Sequence, residues 1–107
     1  MSKSTYHVAV VGATGAVGEQ MVKLLEERRF PLSKLTLLAS ARSAGRTVRF
    51  MGENLTVQET TPQSFEGVDI ALFSAGGSVS RQFAHEAVRR GALVIDNTNA
   101  FRMEPDV

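Results

Sequence analysis

Apolar residues along the chain alternate between strand-like and helix-like patterns. The continuous apolar run over Tyr6–Val11 predicts a buried strand that ends at Gly12. Apolar residues at helical spacing then predict a helix over about 16–28, and a second buried strand follows over 35–39. Four side chains of this helix are expected to face inward: Val17, Met21, Leu24 and Leu25. The pattern therefore predicts one complete βαβ unit with parallel strands.

The second half of the chain predicts a small insertion and then another strand, helix and strand. Residues 47–51 and 55–59 are typical of a hairpin, which we interpret as an insertion. A buried strand over 68–74 precedes a helix from Ser78 or Val79 through Arg90. Gly91 ends this helix and Leu93–Asp96 forms the last strand. The buried face of the helix is expected to contain Val79, Phe83, Ala87 and Val88.

This order of elements predicts an α/β fold, a Rossmann-like doubly wound and mostly parallel sheet with a short hairpin insertion. No closing helix follows the last strand, so one face of the sheet would be poorly covered. We therefore expect the fold to be incomplete, with residues 1–107 forming the amino-terminal part of a nucleotide-binding domain and a catalytic and dimerisation domain lying outside them.

Composition favours a small-molecule partner. The chain carries 12 basic and 11 acidic residues, a net charge of +1, which does not indicate a nucleic-acid partner. No signal peptide or apolar run of membrane-spanning length is present, so we expect no membrane partner and a cytoplasmic location.

Three glycines after the first strand carry the strongest chemical signal. Gly12, Gly15 and Gly18 are spaced as G-x-x-G-x-x-G between a predicted strand and a predicted helix. Such a turn lets phosphate oxygens approach backbone N–H groups at the positive end of the helix. We interpret this turn as the site of a dinucleotide pyrophosphate; the alternative is a purely structural turn.

The end of the second predicted strand suggests which dinucleotide binds. Ser40, Arg42 and Ser43 follow that strand, where a site for NAD usually has an acidic residue and a site for NADP has a cation. We therefore predict that NADP is preferred over NAD, although Arg42 is equally compatible with a solvated loop. A second loop of small residues follows the third parallel strand and is expected to face the cofactor with Ser74, Ala75 and Gly76.

Other chemistries are poorly supported. The chain has no cysteine, so disulfides, thiolate metal ligands and a cysteine nucleophile are absent from it. His7 and His85 are neither spaced as metal ligands nor well placed for catalysis. We thus assign no catalytic residue and no metal site. Asn97 and Arg102 lie beyond the last strand, where Arg102 is a candidate for binding a phosphate or carboxylate.

Four segments resemble the bacterial aspartate-semialdehyde dehydrogenase family, in the same order and spacing over essentially the whole chain. They are VAVVGATGAVG, LLASARSAGR, FEGVDIALFSAGGSVS and VIDNTNAFRMEPDV. The resemblance implies reduction of aspartyl 4-phosphate by NADPH to aspartate semialdehyde and phosphate, a step toward lysine, methionine and threonine. It also implies a homodimer.

By the same resemblance, the residues Thr14, Gly15, Ala16 and Val17 bind pyrophosphate. Arg42 and Ser43 bind the 2′-phosphate, and Arg102 binds the phosphate of the substrate. Asn99 departs from the serine that is usual in the family, which leaves one local hydrogen bond uncertain. The family acts through a cysteine thiolate and a histidine of a later domain, so we expect this chain alone to be inactive.

Three alternatives remain open at this stage. The related N-acetyl-glutamyl-phosphate reductase shares the chemistry and the fold, although the SARSAGR and DNTNAFRM segments fit it less well. A noncatalytic NADP-binding sensor would bind cofactor tightly without turnover. A simple dimerisation or interaction domain is the third, and nothing in the apolar pattern favours it.

Overall fold

The computed structural model describes residues 5–74 and 78–96 as two helices and seven strands. A short 3-10 helix, Pro62–Phe65, lies between the fifth and sixth strands. In chain order the other elements are β1 (Tyr6–Val11), α1 (Ala16–Glu27), β2 (Leu32–Ala39), β3 (Thr47–Phe50), β4 (Glu53–Thr56), β5 (Gln58–Glu59), β6 (Ile70–Phe73), α2 (Ser78–Arg89) and β7 (Leu93–Asp96).

Five strands form one parallel sheet in the order β5-β2-β1-β6-β7. From the central β1 the chain builds outward through β2 and β5, and it then returns to the other side of β1 through β6 and β7. This reversal creates a topological switch point between β1 and β6, where ligands of doubly wound folds bind at the carboxyl ends of the strands. The predicted fold class is confirmed.

Each face of the sheet packs against a different helix. On one face Val10 and Leu37 pack with Met21 and Val22 of α1. On the other face Ala71 and Phe73 pack with Ala87 of α2 and with Phe65 of the 3-10 helix, whose ring stacks on Phe73 with centroids 6.0 Å apart. Helices on both faces cover the central strands of the sheet, whereas Leu93 and Ile95 of the edge strand β7 remain 61% and 39% exposed.

The hairpin is present, but its predicted second arm is wrong. β3 and β4 pair antiparallel from Thr47–Thr56 to Phe50–Glu53, joined by Met51 and Gly52 at φ values of 53° and 83°. Two positive φ values are typical of a type I′ turn. The predicted arm over 55–59 divides at the buried Val57.

Val57 is the point at which the chain passes from the hairpin to the main sheet. Its N–H donates to the Arg46 carbonyl at 2.7 Å, and its own carbonyl accepts from the Gly45 N–H at 2.8 Å. These bonds end the pairing with β3, and the next two residues join β2 as β5. The insertion therefore consists of β3 and β4 alone.

The start of β2 and the exposure of two helix side chains also differ from the predictions. β2 begins at Leu32 rather than at residue 35, because β1 pairs with it from Tyr6 onward. Leu24 and Val88 were expected to be buried but are 38% and 60% exposed, since the helix faces in the core are centred on Met21 with Val22 and on Ala87. The expected burial of Val79 lies outside the described side chains.

In the described part of the chain, neither helix is long and apolar enough to span a membrane.

Candidate functional site

A cavity of about 430 Å³ opens at the carboxyl ends of β1 and β2, beside the switch point. Residues from β1, β2, β5, α2 and the connecting loops line it: Val11, Gly12, Thr14, Ala39, Ser40, Ala41, Glu59, Thr60 and Phe83. Three of these, Gly12, Thr14 and Ser40, are predicted cofactor-binding residues. The lining combines apolar side chains with a few polar groups, which is typical of small-molecule sites.

The glycine turn, residues 12–18, is fixed by hydrogen bonds to its own backbone and to β2. Gly12 has a φ of 86°, and the N–H groups of Gly12 and Ala13 donate to the Leu38 carbonyl at 2.8 and 3.0 Å. The Gly15 N–H donates to the Gly12 carbonyl at 3.1 Å. A positive φ is accessible to glycine without strain, so Gly12 turns the chain sharply from β1 toward α1.

Gly18 and Gly15 play different parts in this turn. A Cβ at Gly18 would lie 2.0 Å from the Gly12 carbonyl oxygen and 2.8 Å from the Ala13 Cα, so the approach of α1 to β1 excludes any side chain there. A Cβ at Gly15 would make an ordinary contact of 3.6 Å with the same oxygen. The packing of the described residues therefore explains Gly18 but does not require glycine at Gly15.

The beginning of α1 is open to an anion. Gly15 is the N-cap residue, with φ −81° and ψ 170°, and no side chain accepts a hydrogen bond from the first turn. Ala16 is exposed, whereas the side chain of Val17 packs into the core, so Val17 offers only its backbone to a ligand. Unpaired N–H groups and the helix dipole make such a terminus attractive to phosphate.

Ser74 lies beside the glycine turn and contacts its carbonyl groups. Its hydroxyl is 2.8 Å from the Val11 carbonyl oxygen and 2.9 Å from that of Gly12, and its N–H donates to the Val11 carbonyl at 3.0 Å. These contacts join the end of β6 to the end of β1. Ser74 does not line the cavity, so its geometry supports a role in holding the turn in place.

The loop at 40–46 follows β2 and carries the predicted 2′-phosphate residues. The Ser40 carbonyl accepts hydrogen bonds from the N–H groups of Ser43 and Ala44 at 2.9 and 3.0 Å, which closes a tight turn. Arg42 is exposed at the tip of this turn, and neither Arg42 nor Ser43 lines the cavity. The structure thus brings Ser40 to the cavity and leaves Arg42 exposed on the same loop, outside the cavity lining.

Sequence reasoning missed Glu59 and Thr60, which line the cavity. They reach it because β5 pairs with the end of β2, with Glu59 in register with Ala39. The Thr60 N–H and hydroxyl both donate to the Ala39 carbonyl, at 2.8 and 3.0 Å. The only local signal for them is the polar run that follows the buried Val57.

His7 has a structural role in the described residues. Its ring nitrogens contact the Thr36 hydroxyl at 2.7 Å and the Gly67 carbonyl at 3.1 Å. The backbone N–H of His7 donates to the Asp69 carboxylate at 2.8 Å. These contacts join three segments near the amino-terminal end of β1, away from the cavity. Within residues 5–74 and 78–96, no three His, Asp or Glu side chains form a group that could hold a metal ion.

Four predicted site residues lie outside the described residues: Ala75, Gly76, Asn97 and Arg102. Their predicted roles toward cofactor and substrate stay predictions.

Comparison with known proteins places these features in context. Residues 7–107 match the family model described as semialdehyde dehydrogenase, NAD binding domain. The aspartate-semialdehyde dehydrogenase of Bacillus subtilis is 70% identical over 98 residues, which are 92% of this chain and 28% of that protein. The enzyme of the same name from Synechocystis is 51% identical, over 97% of this chain and 31% of its own length. The chain thus spans roughly a third or less of these curated relatives.

Solved structures give the same picture. Aspartate semialdehyde dehydrogenase II from Vibrio cholerae, in a crystal structure described as complexed with ASA, matches 86% of this chain and 30% of its own chain. The TM-score is 0.80 and the identity 50%. A structure of RSP in complex with beta-NADH matches at TM-score 0.61 with 14% identity, over 95% of this chain and 61% of its own, which shows a shared fold alone.

Proposed function

Because the chain belongs to the semialdehyde dehydrogenase family through its NAD-binding domain, we propose that it supplies the cofactor-binding part of an aspartate-semialdehyde dehydrogenase. The proposed reaction is the NADPH-dependent reductive dephosphorylation of aspartyl 4-phosphate to aspartate semialdehyde, in a cytoplasmic homodimer. The observation that carries the proposal is the cavity at the ends of β1 and β2, with a glycine turn and the uncapped beginning of α1 beside it.

The glycine turn and α1 would bind the pyrophosphate. The described packing leaves Gly15 without a steric reason to be glycine, which is the expected situation where a ligand oxygen approaches the backbone. The first N–H groups of α1 would donate to that oxygen, and the helix dipole would attract its charge. The residues present therefore fit a dinucleotide.

The adenosine end of the cofactor would lie toward the loop at 40–46. Ser40 lines the cavity, and Arg42 is exposed on the same loop, where its guanidinium can pair with a 2′-phosphate. We assign the proposed preference for NADP to this arginine. Asn97 and Arg102 are proposed to contact the substrate, with Arg102 on its phosphate.

The cofactor would supply the hydride. The residues of this chain would bind the cofactor, orient it and exclude water from it. The 107 residues contain no cysteine. The thiolate implied by the family resemblance would therefore be supplied from outside them, and these residues alone should not catalyse the reaction.

A binding experiment tests the cofactor assignment. NADPH is titrated into the purified chain while its reduced-nicotinamide fluorescence is recorded. Saturable binding, competed by NADP, is the expected result. Failure of NADPH to bind at millimolar concentration to folded chain would contradict the proposal.

A chimera tests the enzymatic assignment. Residues 1–107 replace the matching segment of the Bacillus subtilis relative, which is 70% identical over 98 residues, and phosphate-dependent reduction of NADP by aspartate semialdehyde is measured. Activity within about tenfold of the parent is expected, since few cofactor-facing positions should differ. A folded, dimeric chimera that binds NADPH without turnover would favour a noncatalytic NADP-binding protein.

A further inference from the structure

Glu59 places a carboxylate at the position where doubly wound folds recognise the adenosine ribose. β5 contains only Gln58 and Glu59, and it pairs parallel with the carboxyl end of β2, so that Glu59 stands beside Ala39. NAD-binding folds of this kind usually have an acidic residue at this strand end, where it accepts hydrogen bonds from the ribose hydroxyls. Here a neighbouring strand brings the acid to the same place.

The short strand is held firmly enough to position this carboxylate. On one side of it Val57 is fixed by its backbone bonds to Arg46 and Gly45. On the other side Thr60 donates two hydrogen bonds to the Ala39 carbonyl, and the Thr61 N–H donates to the Ser64 hydroxyl at 2.9 Å. Backbone atoms on both sides of Glu59 are therefore constrained while its side chain is exposed.

The charge of the Glu59 carboxylate affects which dinucleotide the cavity favours. Among the described lining residues Glu59 carries the single formal charge, and the structure shows no ion pair to its carboxylate from a described residue. Arg42 and Arg46 are exposed on the adjacent loop and do not line the cavity. A carboxylate in the wall favours ribose hydroxyls as donors and opposes a 2′-phosphate, whereas the arginines favour the phosphate.

We propose that Glu59 is a specificity-determining residue that accepts hydrogen bonds from the adenosine ribose hydroxyls, so that the chain binds NAD as well as NADP. The proposal rests on the proposed cofactor site. It adds that discrimination between the two dinucleotides is a balance between the Glu59 carboxylate and the Arg42 guanidinium. Neutralising the carboxylate shifts that balance toward NADP.

Calorimetric titration of NAD and NADP into the chain and its Glu59→Gln variant tests this balance. The ratio of NADP affinity to NAD affinity should rise about tenfold in Glu59→Gln, through weaker NAD binding and tighter NADP binding, which corresponds to about 1.4 kcal/mol. Glu53→Gln, an exposed change on β4 away from this cavity, is the matched control and should leave the ratio unchanged.

A second variant separates the two effects of the carboxylate. Glu59→Asp retains the charge but shortens the side chain, so NAD binding should weaken while NADP binding should not tighten. A ratio within twofold of the unmodified chain in Glu59→Gln, with both dinucleotides bound, would overturn the role of Glu59 and leave the cofactor site standing. Failure of the unmodified chain to bind either dinucleotide would overturn both proposals.

Discussion

The glycine turn and the loop at 40–46 lie on two sides of one cavity, but the turn is closely packed whereas the loop presents exposed side chains. In the turn, backbone atoms are hydrogen-bonded to β2, and Gly18 lies so close to Gly12 that no side chain fits. In the loop, the backbone closes on the Ser40 carbonyl and Arg42 extends into solvent. The comparison shows that the proposed pyrophosphate site is set by packing, whereas the proposed ribose site is set by exposed charges that can change without cost to the fold.

The largest expected effect is on folding, from Gly18→Ala. Its methyl group would meet backbone atoms at 2.0 and 2.8 Å, so α1 and β1 must separate. We expect a loss of about 3 kcal/mol or more in the free energy of unfolding, measured by urea denaturation. Gly15→Ala is the matched control and should cost about 1 kcal/mol or less, because its methyl group makes an ordinary contact. Equal stability of the two variants would contradict this account of the turn.

The second largest effect is expected from Gly15→Ser, which should change stability and NADPH affinity in opposite directions. A serine hydroxyl at this N-cap position accepts a hydrogen bond from the first turn of α1, which should stabilise the chain by about 0.3 kcal/mol, since glycine is itself a tolerated N-cap residue. The same hydroxyl takes a donor that the pyrophosphate needs, so NADPH affinity should fall about 30-fold, or about 2 kcal/mol. Thermal denaturation and fluorescence titration measure the two quantities. Unchanged affinity would show that the cofactor does not use this helix terminus.

Arg42→Ala tests the other side of the cavity. Removing the guanidinium should lower NADP affinity about tenfold while NAD affinity and stability stay unchanged, because the charge-assisted contact is made to the 2′-phosphate alone. Arg49→Ala, an exposed arginine on β3, serves as the control for loss of one positive charge. If both variants lose NADP affinity equally, the effect belongs to net charge and the specific role of Arg42 is wrong.

The smallest effect is expected from Ser74→Ala, which weakens the connection between the two sides of the switch point. The variant loses a hydroxyl that contacts the Val11 and Gly12 carbonyl groups, at a cost of about 1 kcal/mol in stability. NADPH affinity should fall severalfold because the glycine turn is held less firmly. Ser74→Thr retains the hydroxyl and should restore affinity. A loss in both variants alike would point to crowding at this position instead.

Local pattern in the sequence predicted the central elements well. Both β1 and β7 have the predicted bounds, and α1 begins at the predicted residue, because a continuous apolar run or a helical stripe bounded by glycine is readable from neighbouring residues alone. Which side chains the helices bury was predicted less well. Leu24 and Val88 lie at the margins of their helical faces, and only the docked sheet decides that such positions remain exposed.

The wall of the candidate site could not be predicted from local pattern. Residues 55–59 have one continuous strand-like character, yet the chain changes sheets at Val57 because long-range bonds to Arg46 and β2 compete with the hairpin. Glu59 and Thr60 therefore reach the cavity through a pairing that no short sequence window contains. The glycine turn was predictable because strand, turn and helix are adjacent in the sequence.

The uncapped beginning of α1 also has a consequence for dynamics. In the free chain the amide protons of its first turn have no side-chain acceptor, so they should exchange with deuterium quickly even though α1 docks firmly against the sheet. Bound pyrophosphate would accept hydrogen bonds from the same amides and slow their exchange, while amides in the interior of β1 should change little. Hydrogen–deuterium exchange at a few backbone positions thus reports occupancy of the site without an attached probe, a turnover assay or a second domain.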